Sequence, residues 1–261
     1  MSGAVPPRVL SIAGSDSGGG AGIQADIKAF ARCGAYGMTA ITAVTAQNTV
    51  AVTGVYPLPP DAIVEQVRAV AEDIGVDAVK IGMLGDSATI AAVERALELV
   101  GDAPVVIDPV MVAESGARLL DRDAEEALRS LLRRASVATP NLAEAAVLTR
   151  LPEGSDPERL ARAVHELGPG AAVVTGGHRE PAADVFFDGE RVVEIPGPRH
   201  ARGASHGSGC THSSALAAHL ALGYAPLGAA QRAKEIAAEA VRDGLRGLGA
   251  GAGPVNVLRR G

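Results

Sequence analysis

The sequence predicts an α/β protein with a central, mostly parallel β-sheet and helices on both faces. Short apolar runs alternate with amphipathic segments over most of the 261 residues, which is typical of right-handed βαβ units. Several of these runs, such as RVLSIA at 8–13, are apolar almost throughout, as strands buried on both faces are. No linker or internal repeat divides the chain. We therefore expect a single domain over residues 1–261.

The first half of the chain contains five predicted strands and three predicted helices. The apolar runs predict strands at 8–13, 38–46, 50–56, 77–81 and 104–107, with 50–56 at a sheet edge. A helix is predicted at 21–30, a second from Pro60 and a third around Ile90 to Val100, because their apolar residues recur at helical spacing.

The second half continues the alternation and ends in helices. Helices are predicted at 121–134, 141–151 and 157–167, with strands at 137–139 and 171–175. Asp188-Gly189 predicts the turn of a hairpin over 184–193. Two alanine-rich helices follow, the second at about 227–245, and we expect a loosely held tail from about 247.

Polar and glycine-rich segments follow the predicted strands. In a parallel sheet they converge on the rim where ligands bind, beyond the carboxyl ends of the strands. The segments are 14–20, 47–49, 82–85, 108–116, 139–144, 176–178 and 203–210.

The loop at 203–210 carries the most specific chemistry. Gly207, Ser208 and Gly209 can adopt backbone conformations closed to bulkier residues, and Cys210 stands where a helix begins. Free N–H groups at a helix start form an anion-binding cup, suited to phosphoryl transfer. The same placement would lower the pKa of Cys210 toward neutrality, so that it acts as a base. The alternative is a buried, inert cysteine at a helix start.

Three oxygen-bearing residues lie at or after strand ends on the same rim. Asp108, Asn141 and Glu144 would suit Mg²⁺ carrying nucleotide phosphates. The alternative for Asn141 and Glu144 is a helix N-cap with its capping partner.

Three other motifs suggest dinucleotide binding, hydrolysis and zinc binding, but each lacks a feature that the function requires. The glycines at 20–25 match a dinucleotide fingerprint, but Gln47-Asn48 replaces the expected acid. The 203–207 segment matches a hydrolase nucleophile elbow, which requires a preceding strand that PRHAR does not form. The histidines and cysteine of 206–212 lack a distant fourth zinc ligand.

Composition narrows the class of partner. A net charge of −6, a pI near 5.5 and no basic cluster disfavour nucleic-acid binding. We expect no signal peptide and no membrane span. Cys33 and Cys210 lie far apart without a CxxC pairing, so we expect a reducing cytoplasm.

Six ordered motifs resemble the hydroxymethylpyrimidine/phosphomethylpyrimidine kinases of thiamine biosynthesis, which belong to the ribokinase-like superfamily. The similarity spans about residues 8–245. The motifs are GSDSGGGAGIQAD at 14–26, TAVTAQNT at 42–49, KIGMLG at 80–85, DPVMV at 108–112, TPNLAE at 139–144 and HGSGCT at 206–211.

This resemblance implies a ribokinase-like sheet with helices on both faces, ATP and Mg²⁺ as cosubstrates, and a homodimer. It implies a pyrimidine pocket, closed by Cys210, that consists of Gly14, Asp26, Gln47, Met83 and Val110. It implies an anion hole at Gly207, Ser208, Gly209 and Cys210. Nucleotide-binding positions are Asp108, Asn141, Glu144, Thr175, Gly177 and Lys234, of which Asp108 and Glu144 serve the metal.

Two positions depart from the family pattern. Thr175 and Glu114 stand where the family usually has lysine, so two cations are missing near the nucleotide, and the candidates to compensate are Arg179, Arg202 and Lys234. The expected reaction is ATP-dependent phosphorylation of 4-amino-5-hydroxymethyl-2-methylpyrimidine and then of its monophosphate. The alternatives are a pyridoxal-type kinase and a pyrimidine-binding protein with little catalysis.

Overall fold

The computed structural model of the chain describes residues 5–176, 182–200 and 203–258. Within these ranges nine strands form one sheet. The strands are β1 (Arg8–Asp16), β2 (Tyr36–Gln47), β3 (Val52–Pro57), β4 (Ala78–Ile81), β5 (Val105–Ile107), β6 (Val137–Ala138), β7 (Ala172–Val174), β8 (Asp184–Phe187) and β9 (Val192–Ile195). They lie in the order β3-β2-β1-β4-β5-β6-β7-β8-β9.

The sheet is mostly parallel, as the sequence predicts. β2, β1, β4, β5, β6 and β7 pair in parallel, whereas β3 joins the β2 edge and β8 and β9 form an antiparallel hairpin beyond β7. The strand order reverses between β1 and β4. A crevice opens beyond the carboxyl ends of strands at such a reversal, and ligands bind there.

Helices cover both faces of the sheet. They are α1 (Gly22–Arg32), α2 (Pro60–Asp73), α3 (Ser87–Leu97), α4 (Glu125–Leu131), α5 (Leu142–Thr149), α6 (Pro157–His165), α7 (Ser208–Ala221) and α8 (Pro226–Arg242). One hydrophobic core packs helices α2, α3, α4, α5 and α6 against one face of the sheet. A second core packs α1, α7 and α8 against the other face. None of the helices in the described ranges is both long and apolar enough to cross a membrane.

Successive strand residues alternate between these two cores. Val9 packs on the α1 side and Leu10 on the α2 side, and all of β5 is buried in the same alternating manner. This double burial explains why the strands are apolar runs without a polar face.

The expected loose tail is wrong for the described residues beyond 247. Val255 and Val257 are buried against Ala29 and Ala240. Main-chain hydrogen bonds join His206 N to the Gly253 carbonyl at 3.3 Å and Val255 N to the His206 carbonyl at 3.0 Å. Two buried valines and paired backbone groups hold this segment, although its glycines suggested a loop.

Candidate active site

A cavity of about 450 Å³ opens at the carboxyl ends of the strands. It brings together most of the residues singled out from the sequence. Those lining it are Gly14, Gln47, Met83, Asp108, Val110, Asn141, Glu144, Thr175, Gly207, Ser208, Gly209, Cys210 and Lys234. The predicted nucleotide residue Gly177 lies outside the described residues, as do Arg179 and Arg202.

The cavity extends across the sheet. Gly14 and Gln47 belong to β1 and β2, whereas Thr175 and Lys234 lie beside β7 and β8. Four inter-strand steps separate β1 from β7, which is roughly 19 Å at about 4.8 Å per step. A cavity of that reach accommodates two ligands end to end, with the start of α7 between them.

The β1 side of the cavity is closely packed around Gly14. A Cβ at this position would lie 2.9 Å from the Met83 sulfur, so a larger residue would require the Met83 side chain to shift. Gln47 Oε1 accepts a hydrogen bond from Thr45 Oγ1 at 3.0 Å, and its Nε2 has no partner among the described residues. The free amide group therefore remains available to a ligand.

Asp26 does not line this cavity, and its predicted role in substrate binding is wrong. The side chain is fully buried, and its carboxylate lies 3.0 Å from Lys80 Nζ. Ser11 Oγ and Ser214 Oγ donate to the same carboxylate at 2.6 and 2.7 Å. Because four hydrogen bonds occupy its oxygens, Asp26 holds Lys80 beneath the cavity.

Asp16 organises the glycine-rich loop after β1. Its carboxylate accepts hydrogen bonds from the N–H groups of Gly18, Gly20 and Ala21 at 2.8, 3.0 and 2.9 Å and lies 3.1 Å from His206 Nε2. Burial disfavours the charge, but these hydrogen bonds outweigh it and hold the pKa of Asp16 below its usual value. This contact joins residues 190 positions apart, and an aspartate before a glycine run was its one signal in the sequence.

The backbone conformation at the start of α7 requires glycine at position 207 but not at position 209. Gly207 is its N-cap with φ of 86°, and a Cβ there would overlap the Gly20 carbonyl oxygen. Gly209 has no such constraint, because it lies inside the helix and its Cβ position is 4.0 Å from Asp108 Oδ2. The first N–H group of the helix, that of Ser208, donates to the Ser205 carbonyl at 2.9 Å. Since glycine offers no capping side chain, the N–H groups that follow it in the first turn remain available to an anion.

Cys210 is not a preformed thiolate. Burial raises the pKa of Cys210 to about 12, although Lys80 opposes this and the Gly22 N–H donates to the thiol. The negative charges of Asp26 and Asp108 raise that pKa further. The expectation that the helix start brings the pKa toward neutrality is therefore wrong, because desolvation exceeds the effect of the helix.

Asp108 and Glu144 form a buried acidic pair. Burial and the charge of Asp108 raise the pKa of Glu144 to about 8. Burial also raises the pKa of Asp108, against the opposing charge of Lys80. Asn141 and Glu144 form the capping box of α5, with both hydrogen bonds at 2.9 Å. The structural alternative for these two residues is thus confirmed, and it is compatible with a ligand role for the carboxylate.

A third group of charges lies on the β8 side of the cavity. Asp184 accepts a hydrogen bond from Lys234 Nζ at 2.7 Å and from the Gly176 N–H at 3.0 Å. His212 Nε2 lies 3.3 Å from the other Asp184 oxygen. The resemblance implies Lys234 at this side but neither Asp184 nor His212, because their pairing depends on how β8 packs against α7 and α8.

The family model described as phosphomethylpyrimidine kinase matches residues 16–256. The chain belongs to the phosphomethylpyrimidine kinase family. A hydroxymethylpyrimidine/phosphomethylpyrimidine kinase from Rhizobium meliloti is 48% identical over 259 residues, covering 96% of this chain and 97% of the relative. The resemblance inferred from the sequence is confirmed, and with it the expectation of a phosphotransferase.

Two solved structures support the predicted ribokinase-like fold of this family member. The pyridoxal kinase from Staphylococcus aureus in complex with ADP superimposes with a TM-score of 0.89 at 34% identity, covering 98% of this chain and 94% of the other. The phosphomethylpyrimidine kinase from Clostridium difficile 630 has a TM-score of 0.79 at 38% identity, covering 90% and 99%.

The two departures from the family pattern occupy different parts of the cavity. Glu114 Oε1 accepts a hydrogen bond from Ser205 Oγ at 2.7 Å, which ties the loop after β5 to the loop before α7. Thr175 N donates to the Pro140 carbonyl at 2.9 Å. Lys234 Nζ and the N–H group of Gly176, the residue after Thr175, both donate to Asp184 Oδ1. A cation is therefore present on the Thr175 side of the cavity.

Proposed function

We propose that this protein uses ATP to phosphorylate 4-amino-5-hydroxymethyl-2-methylpyrimidine and then its monophosphate, giving the pyrophosphate used for thiamine. One observation carries the proposal. The cavity places an amide and an apolar floor on the β1 side, a buried acidic pair beside its centre, and the Lys234 ammonium on the β8 side, with the start of α7 between them. Such an arrangement suits two ligands that exchange a phosphoryl group.

The β1 side fits an aminopyrimidine. The ring presents nitrogen acceptors and an exocyclic amine, and the Gln47 amide offers both a donor and an acceptor. Met83 and Val110 supply the apolar surface on which the ring rests, and Gly14 allows close approach.

The acidic pair fits Mg²⁺ bound together with nucleotide phosphates. The charge of Asp108 disfavours that of the buried Glu144 carboxylate, and a divalent cation relieves that repulsion. No group of three candidate ligands occurs within the described ranges, which suits Mg²⁺ because it takes only one or two carboxylates plus phosphates and water. The metal would neutralise phosphate charge during transfer.

The chain's own residues position and stabilise the reacting groups. The N–H groups at the start of α7 bind the transferring phosphoryl group, since transfer of this kind depends mainly on positioning and charge stabilisation. The thiolate form of Cys210, a very small fraction at pH 7, receives the proton of the hydroxymethyl group late in the reaction and becomes the thiol. Lys80 favours its thiolate, and Asp26 and Asp108 oppose it.

The test is steady-state ATP consumption with each candidate substrate. We expect turnover with the hydroxymethylpyrimidine and with its monophosphate. Pyridoxal is the second candidate, because a pyridoxal kinase shares the fold at a TM-score of 0.89. Turnover with pyridoxal alone would replace the proposed substrate, and binding without turnover would leave only a pyrimidine-binding protein.

Replacing Gln47 by leucine tests the substrate side. The polar edge of the pyrimidine then loses its partner in a buried site, at a cost of roughly 1–3 kcal/mol. We expect the KM for the pyrimidine to rise about 5- to 150-fold, while the KM for ATP stays within twofold. The control is Asn48→Ala, since Asn48 Oδ1 only caps the N–H groups of Val50 and Ala51. An unchanged pyrimidine KM in Gln47→Leu would place the substrate elsewhere.

We further propose a cytoplasmic homodimer. Val44 and Tyr56 pair across β2 and β3 at the sheet edge, and both are exposed apolar side chains. Tyr36 and Val55 are further exposed side chains on the same two strands. Light scattering should give a mass twice that of the 26.3 kDa chain, and a monomer at micromolar concentration would contradict the dimer. The unpaired cysteines Cys33 and Cys210 suit a reducing compartment.

A further inference from the structure

The His206 side chain joins two segments that line the cavity, the glycine-rich loop at 16–21 and the start of α7. Its Nε2 lies 3.1 Å from Asp16 Oδ2, and the two residues are only 8% and 3% exposed. The same Asp16 oxygen accepts hydrogen bonds from the N–H groups of Gly20 and Ala21 at 3.0 and 2.9 Å. His206 is therefore bonded to the carboxylate that shapes the loop.

The loop and the helix also touch directly, without room to slide. A Cβ on Gly20 would overlap the ring of His206, and a Cβ on Gly207 would overlap the Gly20 carbonyl oxygen. One residue beyond the loop, the Gly22 N–H donates to the thiol of Cys210. The glycine contacts allow the two segments to meet, whereas the histidine and the aspartate supply a side-chain bond that holds them together.

The main chain of His206 is fixed from the opposite side by the C-terminal segment. His206 N donates to the Gly253 carbonyl at 3.3 Å, and Val255 N donates to the His206 carbonyl at 3.0 Å. The same segment reaches the loop after β2, where Gly251 N donates to Thr49 Oγ1 at 3.3 Å. Because its backbone groups are paired on one side and its ring on the other, His206 cannot move independently of the glycine-rich loop.

We propose that His206 and Asp16 form a positioning pair that sets the distance between the bound pyrimidine and the anion-binding start of α7. This inference rests on the proposed function, because it takes the pyrimidine to lie on the β1 side of the cavity. The pair acts through the two segments it joins and not on the reacting atoms. Phosphoryl transfer depends on the alignment of acceptor and phosphoryl group, and a misplacement of about 1 Å can slow a reaction about 10²-fold.

The expected signature is a loss of kcat with little change in KM. The groups proposed to bind the pyrimidine, the Gln47 amide and the apolar surface of Met83 and Val110, do not contact His206 or Asp16 through any hydrogen bond among the described residues. We expect His206→Asn to lower kcat roughly 10- to 100-fold, while the KM values for the pyrimidine and for ATP stay within about threefold.

The conservative variant His206→Gln separates positioning from packing. The amide nitrogen of glutamine corresponds to Nε2 of histidine and can still donate to Asp16, whereas that of asparagine corresponds to Nδ1 and is too short. His206→Gln should therefore regain most of the parent kcat. The matched control is His219→Asn, because His219 is equally buried in α7 but its Nδ1 contacts the Ala215 carbonyl at 2.7 Å. It should keep the parent kcat.

A double variant tests whether the two side chains act as one unit. Asp16→Asn should itself lower kcat, and adding His206→Asn should cost no further rate, since the histidine then has no carboxylate partner to lose. Independent residues would instead multiply their effects. Steady-state rates and urea denaturation of each full-length variant provide the measurements, with kcat expressed per folded molecule.

The inference is overturned if Asp16→Asn or a folded His206→Asn keeps the parent kcat, or if their effects multiply. A His206→Gln protein as slow as His206→Asn would also contradict it. In each of these cases a parent that phosphorylates the pyrimidine leaves the proposed function intact. A parent without turnover contradicts the proposed function itself.

Discussion

Replacing Cys210 by alanine is expected to lower kcat by about 10²- to 10⁴-fold, the usual effect of losing a general base. The thiol lies at the start of α7, whereas the anion-binding N–H groups belong to the backbone and survive the substitution. ATP affinity should therefore change little. Initial rates at saturating pyrimidine and ATP provide the measurement.

Two further variants separate the base from a packing role. Cys210→Asp should recover part of the rate, since a carboxylate can also accept a proton. Cys33→Ala should keep the parent rate, because Cys33 is the C-cap of α1, where burial raises its pKa to about 11. Full activity in Cys210→Ala would reduce Cys210 to a packing residue.

The raised pKa of Cys210 also sets the sign of the pH dependence. Only the thiolate accepts a proton, and with a pKa of about 12 its fraction at pH 7 is very small. The value of kcat/KM and the rate of alkylation by iodoacetamide should both rise about tenfold per pH unit between pH 7 and 9. Rapid alkylation of Cys210 at pH 7 would show that its thiolate is already formed.

Replacing Lys80 by methionine is expected to destabilise the fold by about 3–5 kcal/mol, as removal of one partner from a buried ion pair does. Lys80 and Asp26 are both fully buried, with the ammonium 3.0 Å from each carboxylate oxygen. Without Lys80, Asp26 keeps only the hydroxyl groups of Ser11 and Ser214. Urea denaturation followed by circular dichroism measures the difference.

The double variant Lys80→Met/Asp26→Leu is the informative control. Replacing both charges by apolar side chains removes the stranded carboxylate, so most of the lost stability should return. Asp26→Leu alone strands the ammonium and should cost as much as Lys80→Met. A Lys80→Met protein within 1 kcal/mol of the parent would mean that Asp26 finds another partner, in conflict with the buried geometry.

Much of the architecture could be predicted from local patterns. β5 is buried on both faces, so its three residues had to be apolar, and the hairpin of β8 and β9 follows from the turn at Gly189, where φ is 92°. Asp156 caps α6 by accepting from the N–H groups of Glu158 and Arg159. Each of these features depends on neighbours in sequence, which a pattern can capture.

The errors concern contacts between distant segments. Asp26 sits in a helix whose pattern does not reveal that Lys80, 54 residues later, covers it. The pKa of Cys210 depends on how deeply the surrounding segments bury the thiol. Its position at a helix start, taken alone, predicts a lowered pKa, whereas burial raises it. Gly177 and the homodimer remain predictions.

The C-terminal segment at 253–257 has a consequence for the order of biosynthesis. All nine strands in the described ranges have been synthesised by Ile195, but the main chain of His206 pairs with residues 253 and 255. Because chains begin folding from their N-terminal part during translation, the sheet can form while this support is still missing. A nascent chain that has reached Cys210 already contains this thiol and the acidic pair of the cavity. The C-terminal segment that supports His206 beside Asp16 has not yet been synthesised. We therefore expect the sheet to form before the active site is complete.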